Sequence, residues 1–132
     1  MRKLLNILLI LSLCTAIWAK PHAWMELQDQ LVSMFSTSNI KELSKNFDKR
    51  IKVTIGEQSN IYSSEQAELL IRNFLLKLDD KKFCCIKRLD VDEESFYITG
   101  KLTSSQGNYT TFILLSDEED GEIIREIKFE KN

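Results

Sequence analysis

The sequence predicts an α+β fold in which helices pack on one face of a curved antiparallel sheet. Three observations carry that reading. Apolar residues recur at helical spacing through much of the first half of the chain. From residue 83 onward the pattern switches to alternation. The connections within the alternating part are short, which requires antiparallel neighbours. The expected element order is ααββαββββ.

The chain has 132 residues and opens with Met1, Arg2 and Lys3. An apolar run then extends from Leu4 to Ala19, interrupted only by Asn6, Ser12 and Thr15. A basic start, an apolar stretch and the small residue Ala19 just ahead of Pro21 predict a secretory signal peptide over residues 1–19. A retained anchor is the alternative, but the run is short for a span of about 20 residues. Leu13, not a small residue, precedes Cys14, which argues against lipidation there. Cleavage leaves residues 20–132 as one domain, long enough for a hydrophobic core.

Trp24, Leu27, Leu31, Met34 and Phe35 lie on one face of a first helix, and Pro21 suits its start. After "STSN", Asn39 and Glu42 read as a capping box for a short second helix that turns Ile40, Leu43 and Phe47 inward. "RIKVTIG" alternates, with Ile51, Val53 and Ile55 on one side and Lys52 and Thr54 on the other. "EQSN" reads as a turn and "IYS" as a short partner strand. The clearest helix follows. Ser63 is its N-cap with Gln66 three residues on, and Ala67, Leu70, Ile71, Phe74, Leu75 and Leu78 form its stripe. Leu69 and Leu76 widen that stripe, so cover on more than one side is expected. Four strands then span roughly 83–91, 95–104, 108–116 and 122–130, joined by "DEE", "SSQGN" and "DEEDGE".

Several stretches carry a family resemblance: "LSKNFD" (43–48), "YSSEQAELLIRNF" (62–74), "YITGKLTSSQGNY" (97–109) and "IREIKFE" (124–130). In order and spacing they resemble the domain of unknown function 4783 family, exported proteins of Bacteroidetes. "CCIKRLDVDEES" departs from that pattern. The element order is similar to the nuclear transport factor 2-like fold, a cone of helices against a bent sheet. The resemblance implies the periplasm or cell surface of a Gram-negative bacterium and assigns no catalytic residue.

The bulk charge excludes some roles. The chain carries 18 basic and 20 acidic residues; without Arg2 and Lys3 the balance is 16 to 20, a net charge of −4. A mildly acidic exported domain is a poor ligand for nucleic acid or for an anionic membrane. No membrane association is expected after signal cleavage. The basic cluster Lys81, Lys82, Lys87 and Arg88 is flanked by Asp79, Asp80 and Asp90 and reads as a solvated strand end. The acidic turn "SDEEDGE" lacks calcium-loop spacing and reads as a soluble hairpin tip. "NYT" at 108–110 matches a glycosylation acceptor, which matters only in a eukaryotic secretory pathway.

Of the three cysteines, Cys14 leaves with the leader, so Cys84 and Cys85 remain, adjacent in sequence. Neighbouring Cα atoms stand about 3.8 Å apart across a trans peptide, too close for an easy disulfide. In a regular strand the two side chains point to opposite faces. The expectation is one thiol in the core and one on the far face, both acting as small hydrophobes. An intermolecular disulfide through Cys84 or Cys85 is the sharper alternative, since export permits oxidation; a redox or metal role for the pair comes last, because joining the neighbours would disrupt a regular strand. Zinc wants about four ligands, and His22 is the only histidine, so no metal or other cofactor is expected.

"YTTFILL" places Tyr109, Ile113 and Leu115 on one face and Phe112 and Leu114 on the other. "EIIREIKFE" places Ile123, Ile127 and Phe129 on one face and Ile124 on the other. The helices cover one face, and something should cover the second. Phe112, Leu114 and Ile124 are therefore the expected face of a homodimer. The alternative is that curvature lets helix ends cover both patches. The sequence shows no catalytic constellation. The reading is a non-catalytic binding or assembly module of unknown ligand. A structural partner of an envelope complex is the second reading. A small isomerase or dehydratase is the third, with Tyr62, Tyr97 or Asp48 as acid or base inside the cone.

Overall fold

The computed structural model describes residues 20–132, with side chains from residue 26 onward. The expected signal peptide, and the side chains of His22 and Trp24, lie outside the described residues. Helix α1 spans Lys20–Thr37, and within it the chain divides into two compact units between Gln30 and Leu31. In the first unit, Lys20–Gln30 is helical. The second unit, Leu31–Asn132, holds the rest of α1 and all the other elements.

The observed order is ααββαββββ, as the sequence predicts. After α1 come α2 (Lys41–Ser44), β1 (Phe47–Ile55), β2 (Gln58–Ser63), α3 (Ser64–Leu76), β3 (Lys82–Asp90), β4 (Ser95–Ser104), β5 (Gly107–Glu118) and β6 (Gly121–Lys131). The strands form one sheet in the order β2-β1-β6-β5-β4-β3. All neighbours are antiparallel except β1 and β6, which run parallel and join the first hairpin to the meander.

Local chemistry explains most boundaries. Ser63 accepts from the Gln66 backbone N–H at 3.2 Å, and the Gln66 side chain accepts from the Ser63 N–H at 3.3 Å. That reciprocal cap starts α3 and contributes about 1 kcal/mol. The β1–β2 turn is Gly56-Glu57, tighter than the expected "EQSN" turn, and it needs Gly56 because φ there is 61°. α2 is shorter than expected. Ile40, not Asn39, caps it and makes no side-chain bond, and Phe47 belongs to β1.

The core lies between the helices and one sheet face. Leu31, Phe35, Ile40, Ala67, Ile71, Leu75 and Leu78 meet Ile51, Val53, Phe83, Phe96, Ile98, Leu102, Ile113, Leu115, Ile127 and Phe129. Each large side chain buried this way contributes about 1.5–3 kcal/mol. Rings chain through it: Phe35 to Phe83 with centroids 4.6 Å apart, Phe35 to Phe129 at 6.1 Å, Phe129 to Phe74 at 4.9 Å, and Phe74 to Tyr109 at 5.2 Å. The α3 stripe is narrower than expected. Leu69 and Leu76 are 50% and 61% exposed, so no second layer of the described residues covers them.

The register shifts in three pairings: β1 against β6 is irregular between Phe47 and Lys52, and single-residue bulges interrupt β6 against β5 and β3 against β4. In β6 the pairing with β5 shifts between Leu114, opposite Glu126, and Leu115, opposite Ile124. Arg125 is the extra residue. It returns Ile124 to the core face with Ile127 and Phe129, and Ile124 is 1% exposed. This corrects the expectation that Ile124 belongs to the outer face; Ile123 is the half-buried residue there. In β3 the pairing with β4 shifts between Cys84, opposite Lys101, and Lys87, opposite Thr99. Cys85 and Ile86 then share the place across from Gly100, and Cys85 has φ 61°.

Candidate functional site

On the face away from the helices, cross-strand pairing sets residues in rows. One row reads Leu89, Tyr97, Leu114, Glu126 across β3, β4, β5 and β6, and Lys52 of β1 continues it. The next reads Lys87, Thr99, Phe112, Lys128, then Thr54. The two rows gather an apolar patch of Leu89, Tyr97, Phe112 and Leu114. Tyr97 meets Phe112 edge to face, with centroids 6.4 Å apart and planes at 84°. Lys128 Nζ stands 5.9 Å from the Phe112 ring centre. Leu89, Tyr97, Phe112, Glu126 and Lys128 line a shallow hollow of about 380 Å³. Leu89 is 52% exposed, while Tyr97, Phe112 and Leu114 are half-buried by their own neighbours. An apolar centre with a charged margin is the anatomy of a contact surface.

The cysteines lie elsewhere than expected. Both are free and exposed, and neither enters the core. The left-handed backbone at Cys85 breaks the alternation that would part them, and their sulfurs stand 2.8 Å apart. The hydrogen bond with Cys85, then slight desolvation and the charge of that neighbour, hold the Cys84 thiol above its ordinary value, and Lys101 across the strand opposes this without overcoming it. The site is held from behind. Phe83 lays its ring over Gly100, where any Cβ would collide with it. The approach to β3 is tied to the β4–β5 turn. The Gln106 side chain accepts from the Asp79 N–H at 2.7 Å and donates to its carboxylate at 2.6 Å, and Ser105 Oγ donates to Asp80 at 3.0 Å.

Other residues singled out in the sequence have structural partners. Asp48 accepts from Arg125 at 2.9 Å, and the same guanidinium reaches Glu118 at 2.6 Å. Tyr62 is on the edge strand β2, and Tyr97 is on the outer face, so these two and Asp48 do not converge inside the core. Asp92 Oδ1 accepts from the Glu94 and Ser95 N–H groups and shapes the β3–β4 turn. Arg88 lies 3.7 Å from the Phe96 ring centre and donates to Asp90 at 3.0 Å. Lys81 donates to the Leu78 carbonyl at 3.0 Å. Among the described residues no three carboxylates, imidazoles or thiols gather as a metal site, and no helix is long and apolar enough to cross a membrane. The buried hydroxyls of Ser38 and Thr111 have no hydrogen-bond partner.

The outer patch was legible from alternation in β5. The cysteine bulge was not, because a bulge inserts one residue without a compositional mark, and here a cysteine takes the left-handed position where glycine is the usual choice.

Comparison with known proteins places the chain. Residues 28–130 match the model of the DUF4783 family, a domain of unknown function. No curated protein matches it. A DUF4783 family protein from Bacteroides ovatus ATCC 8483 superposes with a TM-score of 0.68 at 19% identity, covering 77% of this chain and 92% of its own. One from Bacteroides fragilis YCH46 gives a TM-score of 0.67 at 21% identity, covering 77% and 95%. A structure named Rd1NTF2_05, with five substitutions, gives 0.65 at 11% identity, covering 83% and 98%. The fold is therefore α+β and nuclear transport factor 2-like, with helices against a bent six-stranded sheet.

Proposed function

The chain belongs to the DUF4783 family, and we propose that it is an exported, non-catalytic binding or assembly module that pairs with a second copy of itself through the outer face of its sheet. The observation that carries this reading is the patch of Leu89, Tyr97, Phe112 and Leu114 set between Glu126, Lys128 and Lys87. Its charges suit a second copy. A two-fold axis running across the strands, between the row of Glu126 and the row of Lys128, would bring Glu126 of one chain towards Lys128 of the other, so the surface can complement itself. The interior supports a non-catalytic role. Acid–base work inside the cone needs a titratable group there. The buried polar side chains among the described residues are the hydroxyls of Ser38 and Thr111, with Tyr109 at the margin, and that of Thr54, which lies on the outer face and pairs with Ser59. The signal-like start of the sequence supports export.

Sedimentation equilibrium tests the pairing. Wild-type protein is expected to dimerise, and Phe112→Asp to weaken the dimer at least about tenfold, the loss of one central aromatic anchor. Leu69→Asp, on the exposed side of α3, is expected to leave the dimer unchanged. A wild-type monomer at all accessible concentrations rejects pairing and moves the patch to a different envelope protein. A dimer that ignores Phe112→Asp places the interface elsewhere.

A further inference from the structure

Cys84 and Cys85 combine four features that a pair of inert strand thiols does not. Both are exposed. Their sulfurs are 2.8 Å apart. The φ of 61° at Cys85 has already taken the backbone out of the extended form that separates neighbouring side chains. They lie on β3, an edge of the sheet, so a change in backbone geometry there disturbs one ladder rather than two. We propose that Cys84 and Cys85 are a redox-active dithiol that closes to a disulfide between adjacent residues on reaction with an external low-molecular-weight disulfide.

The bulge supplies what the sequence denied. A regular strand would have to be torn to join neighbouring cysteines, whereas here the tear is present in the reduced protein. Gly100 opposite the bulge and Phe83 packed over it fix the place of the pair. Lys101, paired opposite Cys84, favours its thiolate, but the hydrogen bond with Cys85 outweighs it and holds the Cys84 thiol above its ordinary value, so attack through Cys84 quickens as the pH rises. The reaction has two steps. One cysteine thiolate attacks a sulfur of the external disulfide, forms a mixed disulfide and expels half of the oxidant as thiolate. The other cysteine thiolate then attacks the protein sulfur of that mixed disulfide. The Sγ–Sγ bond forms, and the second half of the oxidant leaves. Two electrons pass from the protein pair to the oxidant, and its two thiolates take up the two protons. The product ring is strained, and strained, exposed disulfides are the readily reduced ones. The pair thus works as a reversible switch on the sheet edge rather than a staple.

The test uses oxidised glutathione on the reduced protein. Free thiols are blocked with an alkylating reagent at timed intervals, and trypsin then releases Phe83–Lys87, which holds both cysteines. The expected product is this peptide two hydrogens lighter, unlinked to any other. In Cys84→Ser and Cys85→Ser the reaction stops at the glutathione adduct. In wild type that adduct clears at least about tenfold faster, because the resolving thiol is already in place. Three results overturn the proposal: a wild-type adduct that persists as in the single variants, two Phe83–Lys87 peptides joined across chains, or a pair that remains fully alkylatable after both single variants have formed their adducts.

Discussion

The sheet holds one bulge in β6 and another in β3. Arg125 is an exposed residue of β6, an inner strand between β1 and β5, and its guanidinium bridges Asp48 and Glu118. Its effect is inward, because it keeps both Ile124 and Ile127 on the core face despite their odd spacing. The bulge in β3 is on the sheet's edge and acts outward. Cys85 takes a left-handed backbone, Phe83 remains in the core over Gly100, and two thiols are left together at the surface. One inserted residue in the middle of the sheet is thus spent on packing. The same insertion at the edge presents chemistry.

The sharpest way to break this comparison is to truncate, in turn, the two neighbours just before the β6 bulge that occupy opposite faces of the sheet. Ile124→Ala is expected to cost about 2–5 kcal/mol, and Ile123→Ala less than about 1 kcal/mol, by urea unfolding. Equal costs, or the reverse order, remove the bulge from Arg125. Next in size is Gly100→Ala, expected to cost about 1–3 kcal/mol because the new Cβ drives into the Phe83 ring. Combining it with Phe83→Leu should restore part of the loss; strict additivity would mean the two sites do not touch. Cys85→Gly should raise stability by about 1 kcal/mol by relieving the left-handed backbone, while Cys84→Gly should not. The smallest effect is at Arg125→Ala, less than about 1 kcal/mol and smaller still in high salt, since its ion pairs are half-exposed.

Much of the fold was legible because its signals are local. The Ser63–Gln66 cap, the stripe from Ala67 to Leu78 and the alternation of β4 and β5 each declare themselves within a few residues. The parallel pairing of β1 with β6 joins segments some seventy residues apart in sequence, and no local pattern announces it. The outer patch was half legible. Phe112 and Leu114 followed from alternation. Ile124 was misplaced because counting by twos fails past Arg125. Tyr97 and Leu89 join the patch only once the register of β3 and β4 is known. The cysteines were misread for the same reason as Ile124, since alternation predicts one buried thiol and the bulge leaves none.

The central claim is that the outer sheet face joins two copies of this chain. Native mass spectrometry of the protein recovered after expression in an exporting bacterial host tests it most directly. The account predicts a mass of two chains, each beginning at Lys20, with no ligand adduct. A single chain at every concentration, with or without a bound small molecule, would contradict it.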